Sequence, residues 1–177
     1  MPRLLPVLVA ALLFPITATP MTAQAYDPEA RLRELGITLP TPAPPVANYV
    51  RAVRTGNLVF LAGHLECDGT KQVRGQLGAE VTIEQGYASA RQVGICILAS
   101  LKQAIGNLDQ VTRIVKVLGL VNSTADFTDH PRVVNGFSDL MVEVFGDRGR
   151  HARSAVGVAQ LPGGGAVEVE MIVEVAP

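Results

Sequence analysis

Arg153 and Glu168 are the residues of this 177-residue chain whose types and spacing are best suited to chemistry. An arginine can hold a carboxylate through two parallel N–H bonds, because its planar guanidinium matches the two carboxylate oxygens. A glutamate further along the chain can orient a water molecule or transfer a proton. Together they form a minimal set of groups for hydrolysing a small acidic molecule.

The sequence around these two residues predicts two strands and a turn. Apolar residues alternate over 154–161 and again over 166–175, as they do in half-buried strands. The segment 162–165, Pro-Gly-Gly-Gly, predicts a tight turn that joins the strands as a hairpin. We therefore expect Arg153 at the mouth of this hairpin and Glu168 on its returning strand.

The rest of the chain is predicted to supply a mixed sheet and two long helices. Thr82 and Gln85 have the spacing of a capping box, and Gly146 is expected to end the second long helix. Helices are predicted over 26–35, 82–105 and 131–145, and strands over 48–54, 58–66, 73–76, 114–121 and the two C-terminal segments. This order predicts a two-layer α+β fold in which both long helices cover one face of the sheet.

The opposite face of the predicted sheet has no helix to cover it. The strand alternation assigns Val59, Leu61, Val156 and Val158 to that face. An uncovered apolar face favours association with further copies of the chain. The periodicity alone does not give the number of subunits.

Composition and charge exclude several classes of function. The formal net charge is −1 and the basic residues form no block, which argues against a nucleic-acid or anionic-membrane surface. The chain has no tryptophan, which disfavours a stacking platform for single-stranded nucleic acid. His64, His130 and His151 lack metal-ligand spacing and a nearby nucleophile motif. We expect no metal site, and surface or capping roles for the three histidines. The alternatives are that His64, which follows Gly63, reaches the cleft and that His151, which precedes Arg153, tunes its rim.

The first 25 residues have the features of a secretory signal peptide. Arg3 gives a basic start, residues 4–16 form an apolar run, and Ala23-Gln24-Ala25 is a small-residue cleavage site. We expect export, with a periplasmic or secreted mature chain that starts at Tyr26. The alternative is that translation starts at Met21 and the protein is cytoplasmic.

The remaining sequence predicts an N-terminal arm over 26–45 and one domain over 46–177. The arm contains four prolines between residues 38 and 45, which favours an extended conformation. The domain contains the two cysteines of the chain, Cys67 and Cys96. They can pair in an oxidising compartment. The alternative, favoured by the apolar helix around it, is that Cys96 is a small core residue.

Several short motifs occur between residue 46 and the C-terminus. They are Tyr49-Val50, Gly56-Asn57-Leu58-Val59-Phe60, Gly63, Asn135, Ala152-Arg153-Ser154, Leu161-Pro162 and Val167-Glu168-Val169-Glu170. With these motifs the chain resembles the Rid family, the reactive intermediate deaminases, which are also called YjgF-like proteins. The run from Arg-Ser through Leu-Pro to Glu-x-Glu is the specific part of the resemblance.

The resemblance implies a fold, an assembly and a reaction. The fold is the chorismate-mutase-like α+β fold, and the assembly is a homotrimer with three clefts between subunits. The reaction typical of the family is hydrolysis of reactive enamines and imines, such as 2-aminoacrylate and related 2-imino acids. The products are 2-keto acids and ammonia, and the reaction uses no metal and no organic cofactor.

The resemblance also implies roles for single residues. Arg153 matches the arginine that binds the substrate carboxylate, and Glu168 matches a glutamate that orients or activates water. Tyr49 is expected to close the pocket, and the backbone at Gly63 is expected to bond the substrate. Asn135 joins the substrate-binding set.

Two positions depart from the family pattern and keep a second function open. Ala62 stands where many members carry serine or threonine, and Ala155 stands where many carry cysteine. These departures favour the alternative of a non-catalytic trimer that binds small carboxylates or acts as a chaperone. Glu170 shares a strand face with Glu168 and is expected to be structural. RNA cleavage, sometimes attributed to the family, is disfavoured by the acidic charge balance.

Overall fold

The structure of the chain, a computed structural model, describes residues 26–68 and 72–177. The predicted signal peptide, residues 1–25, lies outside the described residues. The helices are α1 (Pro28–Glu34), α2 (Ile83–Ile105) and α3 (His130–Phe145), and the strands are β1 (Ala52–Thr55), β2 (Leu58–His64), β3 (Val111–Asn122), β4 (Ala152–Val158) and β5 (Val167–Val175). Within the described ranges, no helix combines the length and apolar character that a membrane span requires.

The ends of these elements follow from local sequence signals. The Thr82 side chain accepts a bond from the Gln85 N–H, and the Gln85 side chain accepts one from the Thr82 N–H, so the predicted capping box begins α2. Gly56, with φ 59°, forms the loop between β1 and β2, and Gly146, also with φ 59°, ends α3. The predictions that depend on near neighbours in the sequence are therefore confirmed at these positions.

The five strands form one sheet in the order β1-β2-β5-β3-β4. β4 runs parallel to β3, and the other neighbouring strands are antiparallel. The long helices α2 and α3 cover one face, where every second residue of β5 is buried from Val167 to Val175. This arrangement confirms the predicted two-layer α+β fold. The face that the helices leave uncovered is called the outer face below.

The predicted C-terminal hairpin is wrong. β4 and β5 are consecutive in the chain, but β3 lies between them and pairs with both. The crossover through α3 returns the chain parallel to β3, which places β4 at the edge of the sheet. β5 then enters between β2 and β3. The segment Pro162–Gly164 is a short 3-10 turn that links the two separated strands.

Two of the four apolar residues predicted for the outer face lie there, and the other two lie on the opposite face. Val59 and Leu61 are buried under the helices, whereas Phe60 between them is 40% exposed on the outer face. Because side chains of a strand alternate, a shift of one residue exchanges the two faces. Val156 and Val158 lie on the outer face of β4, as predicted, and Val156 is 44% exposed.

The predicted polar strand over 73–76 is wrong. Arg74 forms a single bridge with Gly165 instead of a strand pairing. Its Nη1 atom also donates to the Gly163 carbonyl at 2.8 Å. This segment therefore supports the turn before β5 rather than extending the sheet.

A disulfide bond joins Cys67, which follows β2, to Cys96 in α2. Both predictions for the cysteines are confirmed: Cys67 and Cys96 are paired, and Cys96 is also a core residue that is only 3% exposed. The bond links the strand layer to the helix layer across a sequence separation of 29 residues. Such a link restricts the unfolded chain more than the folded one.

We expect Cys67→Ala to lower the free energy of unfolding by about 3 kcal/mol, because the opened loop regains conformational entropy in the unfolded state. Cys67 is the better residue to replace, since it is exposed and its removal leaves no core cavity. Urea denaturation measures the effect. Reductant should destabilise the wild type by a similar amount and leave the variant unchanged. Equal stability of the two oxidised proteins would contradict this role of the bond.

Candidate functional site

Arg153 lies at the edge of the sheet, on the face that packs against α3. In the parallel pairing its partner on β3 is Val117, which is buried under the helices. Its Nη1 atom donates to Asn135 Oδ1 and to Ser138 Oγ, both at 2.9 Å, and Nη2 donates to the Pro131 carbonyl at 3.5 Å. All three contacts come from α3, so the helix orients the guanidinium. Arg153, Asn135 and Ser138 are called the arginine half-site below.

The positive charge of Arg153 has no counter-charge in the described part of the chain. Its three partners are neutral, and none of the ion pairs among the described residues involves it. The side chain is only half-buried. A small carboxylate can therefore reach the guanidinium and supply the missing charge.

His151 is attached to the arginine half-site through Ser138. His151 Nε2 lies 3.1 Å from Ser138 Oγ, and Nδ1 lies 2.7 Å from the Gly149 carbonyl oxygen. Its ring also meets the edge of Phe137. Burial, and to a lesser degree the charge of Arg153, lower the pKa of His151. The ring is half-buried between α3 and β4, where it bonds the carbonyl at the end of the turn Gly146–Gly149 and also reaches the neighbourhood of Arg153.

Glu168 lies on the outer face of the sheet. It pairs with Leu120 of β3. Its neighbours in β5, Val167 and Val169, are buried under the helices, so the alternating side chain of Glu168 points to the other face. Its carboxylate covers the backbone of Gly63, where a Cβ atom would overlap it. Burial raises the pKa of Glu168, and the neighbouring charge of Glu170 raises it further. Gly63 and Glu168 are called the glutamate half-site below.

Tyr49 belongs to the segment that leads into β1. It lies just before β1, and the residue is 44% exposed. The Ala62 N–H donates to the Arg51 carbonyl at 2.9 Å, which fixes this segment beside the end of β2. The exposed ring is thus available at the surface, as a residue that closes a pocket must be.

The two half-sites do not meet within this chain. Arg153 points to the helix face and Glu168 to the outer face, so the sheet itself separates them. Arg153 on β4 and Gly63 on β2 are also three strand spacings apart, or about 14 Å. The expectation that Arg153 and Glu168 belong to the two strands of one hairpin is therefore wrong, because β4 and β5 are not neighbours in the sheet.

A cavity of about 690 Å³ lies beside the C-terminal end of β4 and the first residue of α3. On its wall, Ser123 Oγ lies 3.1 Å from His130 Nε2. A Cβ atom at Gly157 would overlap both groups, so glycine is needed where they approach β4. His130 is next to Pro131, whose carbonyl contacts Arg153. The cavity is of the size that binds small molecules.

Sequence reasoning missed the two serines and misplaced one histidine. Ser138 was detectable, because it follows Asn135 by one helical turn and so shares its face. Ser123 has no such signal, since its contact with His130 depends on how α3 docks. His64 is 3% exposed and bonded to Ser100, which makes its predicted surface role wrong.

The described residues contain no cluster of three or more histidine, cysteine, aspartate or glutamate side chains that could hold a metal ion. The chemistry of both half-sites is that of hydrogen bonds, one positive charge and one carboxylate. Such groups bind an acidic ligand and direct a water molecule.

The chain is similar to proteins of one known family. The family model described as YjgF/chorismate mutase-like, putative endoribonuclease, matches residues 29–174. Protein TCP17 of Trypanosoma cruzi is 47% identical over 147 residues, which cover 82% of this chain and 92% of that protein. A 2-iminobutanoate/2-iminopropanoate deaminase of Dermatophagoides farinae is 30% identical over 139 residues, which cover 77% and 93%. The crystal structure of Atu1372, a protein of unknown function from Agrobacterium tumefaciens, superposes with a TM-score of 0.78 at 40% identity, covering 84% of this chain and 92% of that one.

Proposed function

This chain belongs to the YjgF/chorismate-mutase-like family, also called the Rid family, and from that premise we propose that it hydrolyses 2-imino acids and their enamines to 2-keto acids and ammonia. The observation that carries the proposal is the half-buried Arg153, oriented by α3 and without a counter-charge in the described part of the chain. The relative named as an imine deaminase supports the choice of reaction.

The reaction needs a bound carboxylate and a directed water molecule. Arg153 holds the substrate carboxylate, which places the imine carbon beside it and removes much of the entropic cost of the water attack. Glu168 takes a proton from water while the water oxygen bonds to the imine carbon and the imine nitrogen takes a proton from solvent, which gives a carbinolamine. Glu168 then gives its proton to the amine nitrogen, the hydroxyl releases its proton to solvent as the carbonyl forms, and the carbon–nitrogen bond breaks to release ammonia. A glutamate with a raised pKa is a better base than an ordinary one.

The active site lies between subunits, because one subunit separates the two half-sites. The outer face supports the association, since Phe60 is 40% exposed there and a groove of about 320 Å³ runs past Lys116 and Ile172. Covering this face with another copy buries its apolar residues. A homotrimer with three clefts, the assembly implied by the resemblance, brings Arg153 of one subunit to Glu168 of the next.

We expect two inactive variants, Arg153→Ala and Glu168→Gln, to restore activity when their subunits are mixed. In a random mixture, roughly a quarter of the sites combine an intact arginine with an intact glutamate. Co-expression with two different tags and tandem purification isolates the mixed oligomers for the assay. Mixed oligomers as inactive as their parents would contradict a site shared between subunits.

The direct test of the function is an imine-hydrolysis assay on the protein from Tyr26 onward. An amino-acid oxidase generates 2-imino acids, and semicarbazide traps those that remain. The wild type should suppress semicarbazone formation, and the Arg153→Ala variant should not. If the wild type binds 2-keto acids without suppressing the trap, the protein is a carboxylate-binding trimer of the non-catalytic kind.

We also propose that the protein is exported, with a mature chain that begins at Tyr26. The Cys67–Cys96 disulfide supports this location, because such bonds persist in oxidising compartments and are rare in the cytosol. N-terminal sequencing of the protein from fractionated cells tests it. A cytoplasmic protein with reduced cysteines and Met21 at its N-terminus would establish the alternative start.

A further inference from the structure

We propose that His151 is a positioning residue for Arg153 and acts through the Ser138 hydroxyl. The inference rests on the proposed function in one respect, that Arg153 binds the substrate carboxylate. It adds a role for two residues that the resemblance does not assign. It also specifies which edge of the guanidinium is left for the substrate.

The Gly149 carbonyl decides the tautomer of His151. A carbonyl oxygen only accepts hydrogen bonds, so the 2.7 Å contact requires a proton on Nδ1. In the neutral ring Nε2 then has no proton and is an acceptor. Burial and the nearby Arg153 charge lower the pKa of His151, which favours this neutral form.

The tautomer in turn decides the direction of the Ser138 hydroxyl. Nε2 lies 3.1 Å from Ser138 Oγ and can only accept, so the serine donates its single proton to His151. The serine lone pairs then remain for the Arg153 Nη1–H donor at 2.9 Å. The order of donation is therefore Arg153 to Ser138, Ser138 to His151, and His151 to Gly149.

This order determines which guanidinium edge meets the substrate. Nη1 carries two protons, and Asn135 and Ser138 accept one each. In the described part of the chain Nε has no hydrogen-bond partner, and Nη2 has only the 3.5 Å contact to Pro131. The Nε–Nη2 edge is thus the fork that holds a carboxylate bidentately. Without His151 the serine proton is free to turn toward Nη1, which disturbs the orientation of that fork.

Two matched substitutions of His151 test the role. His151→Gln retains an acceptor near the Nε2 position, whereas His151→Asn retains a donor near Nδ1 and removes that acceptor. We expect His151→Asn and Ser138→Ala to raise KM and the dissociation constant of 2-oxobutyrate by about three- to tenfold, which corresponds to one hydrogen bond, with kcat nearly unchanged. His151→Gln should stay near the wild-type values. Equal effects of the glutamine and asparagine variants would overturn the proposal.

Nitrogen-15 NMR of the wild type tests the tautomer without any substrate. The expected spectrum has a protonated Nδ1 and an unprotonated Nε2 for His151, and a proton on Nε2 would overturn the relay. This result does not depend on activity. If the wild type neither binds nor converts the acids while the tautomer is as expected, the proposed function fails and the order of hydrogen bonds stands. If Arg153→Ala abolishes binding but Ser138→Ala and His151→Asn behave as wild type, the function stands and the positioning role fails.

Discussion

Replacing Arg153 by alanine should lower kcat/KM for 2-imino acids by at least about a hundredfold, because two charge-assisted hydrogen bonds to the substrate carboxylate are lost. The guanidinium is the group that fixes the substrate beside the attacking water. Its own contacts in the protein are to neutral groups of α3, so no buried acid is left unpaired by the change. The fold and the oligomer should therefore persist. The semicarbazide assay and size-exclusion chromatography measure the two effects.

Two further variants test the planar shape of the Arg153 side chain and its position on the surface. Arg153→Lys keeps the charge but loses the planar fork, so its activity should lie between the wild type and the alanine variant. Arg132→Ala removes another arginine of α3, which is exposed and paired with Asp129, and should leave activity unchanged. Full activity of Arg153→Ala would show that the carboxylate is bound elsewhere.

Glu168→Gln should lower kcat by about a hundredfold or more, since glutamine cannot accept the proton of the attacking water. The wild type should also lose activity as the pH falls, because protonation removes the base. The pKa of Glu168 is raised above its ordinary value of 4.5 by burial and by Glu170, so this loss begins at a higher pH than for an exposed glutamate. The pH dependence of kcat measures this loss, as the acid limb of the profile.

Glu170→Gln is the matched control for the glutamate. It removes the neighbouring charge that helps to raise the pKa of Glu168, so the acid limb should move to lower pH while activity remains. An unshifted limb, or an equal loss of activity in both variants, would contradict the assignment of Glu168 as the base.

Stability should respond to Glu168→Gln in the opposite sense from activity. A carboxyl whose pKa is raised in the folded state destabilises the fold when it is ionised, and this cost sets in as the pH rises through the interval between the unfolded and folded pKa values. The glutamine variant should therefore be at least as stable as the wild type at neutral pH. Such a gain with a loss of turnover is expected of a functional residue rather than a structural one.

Most of the local structure follows from the sequence by itself. The capping pair of Thr82 and Gln85 begins α2, Gly56 turns the first hairpin, and Gly146 ends α3, because each acts on residues within a few positions of itself. The alternation in β5 was also predicted correctly. The two chemical residues, Arg153 and Glu168, were singled out from their types and their motif.

The tertiary structure alone decided how those residues are placed. Whether β5 pairs with β4 or enters between β2 and β3 depends on contacts with residues far away in the chain, and local patterns carry no information about them. That choice separates Arg153 from Glu168, and the register places them on opposite faces of the sheet, which is why we propose a site shared between subunits. The link from His151 through Ser138 to Arg153 likewise exists only because α3 docks against β4. Strand alternation is a local property, whereas strand order and helix docking are set by the burial of apolar surface throughout the domain.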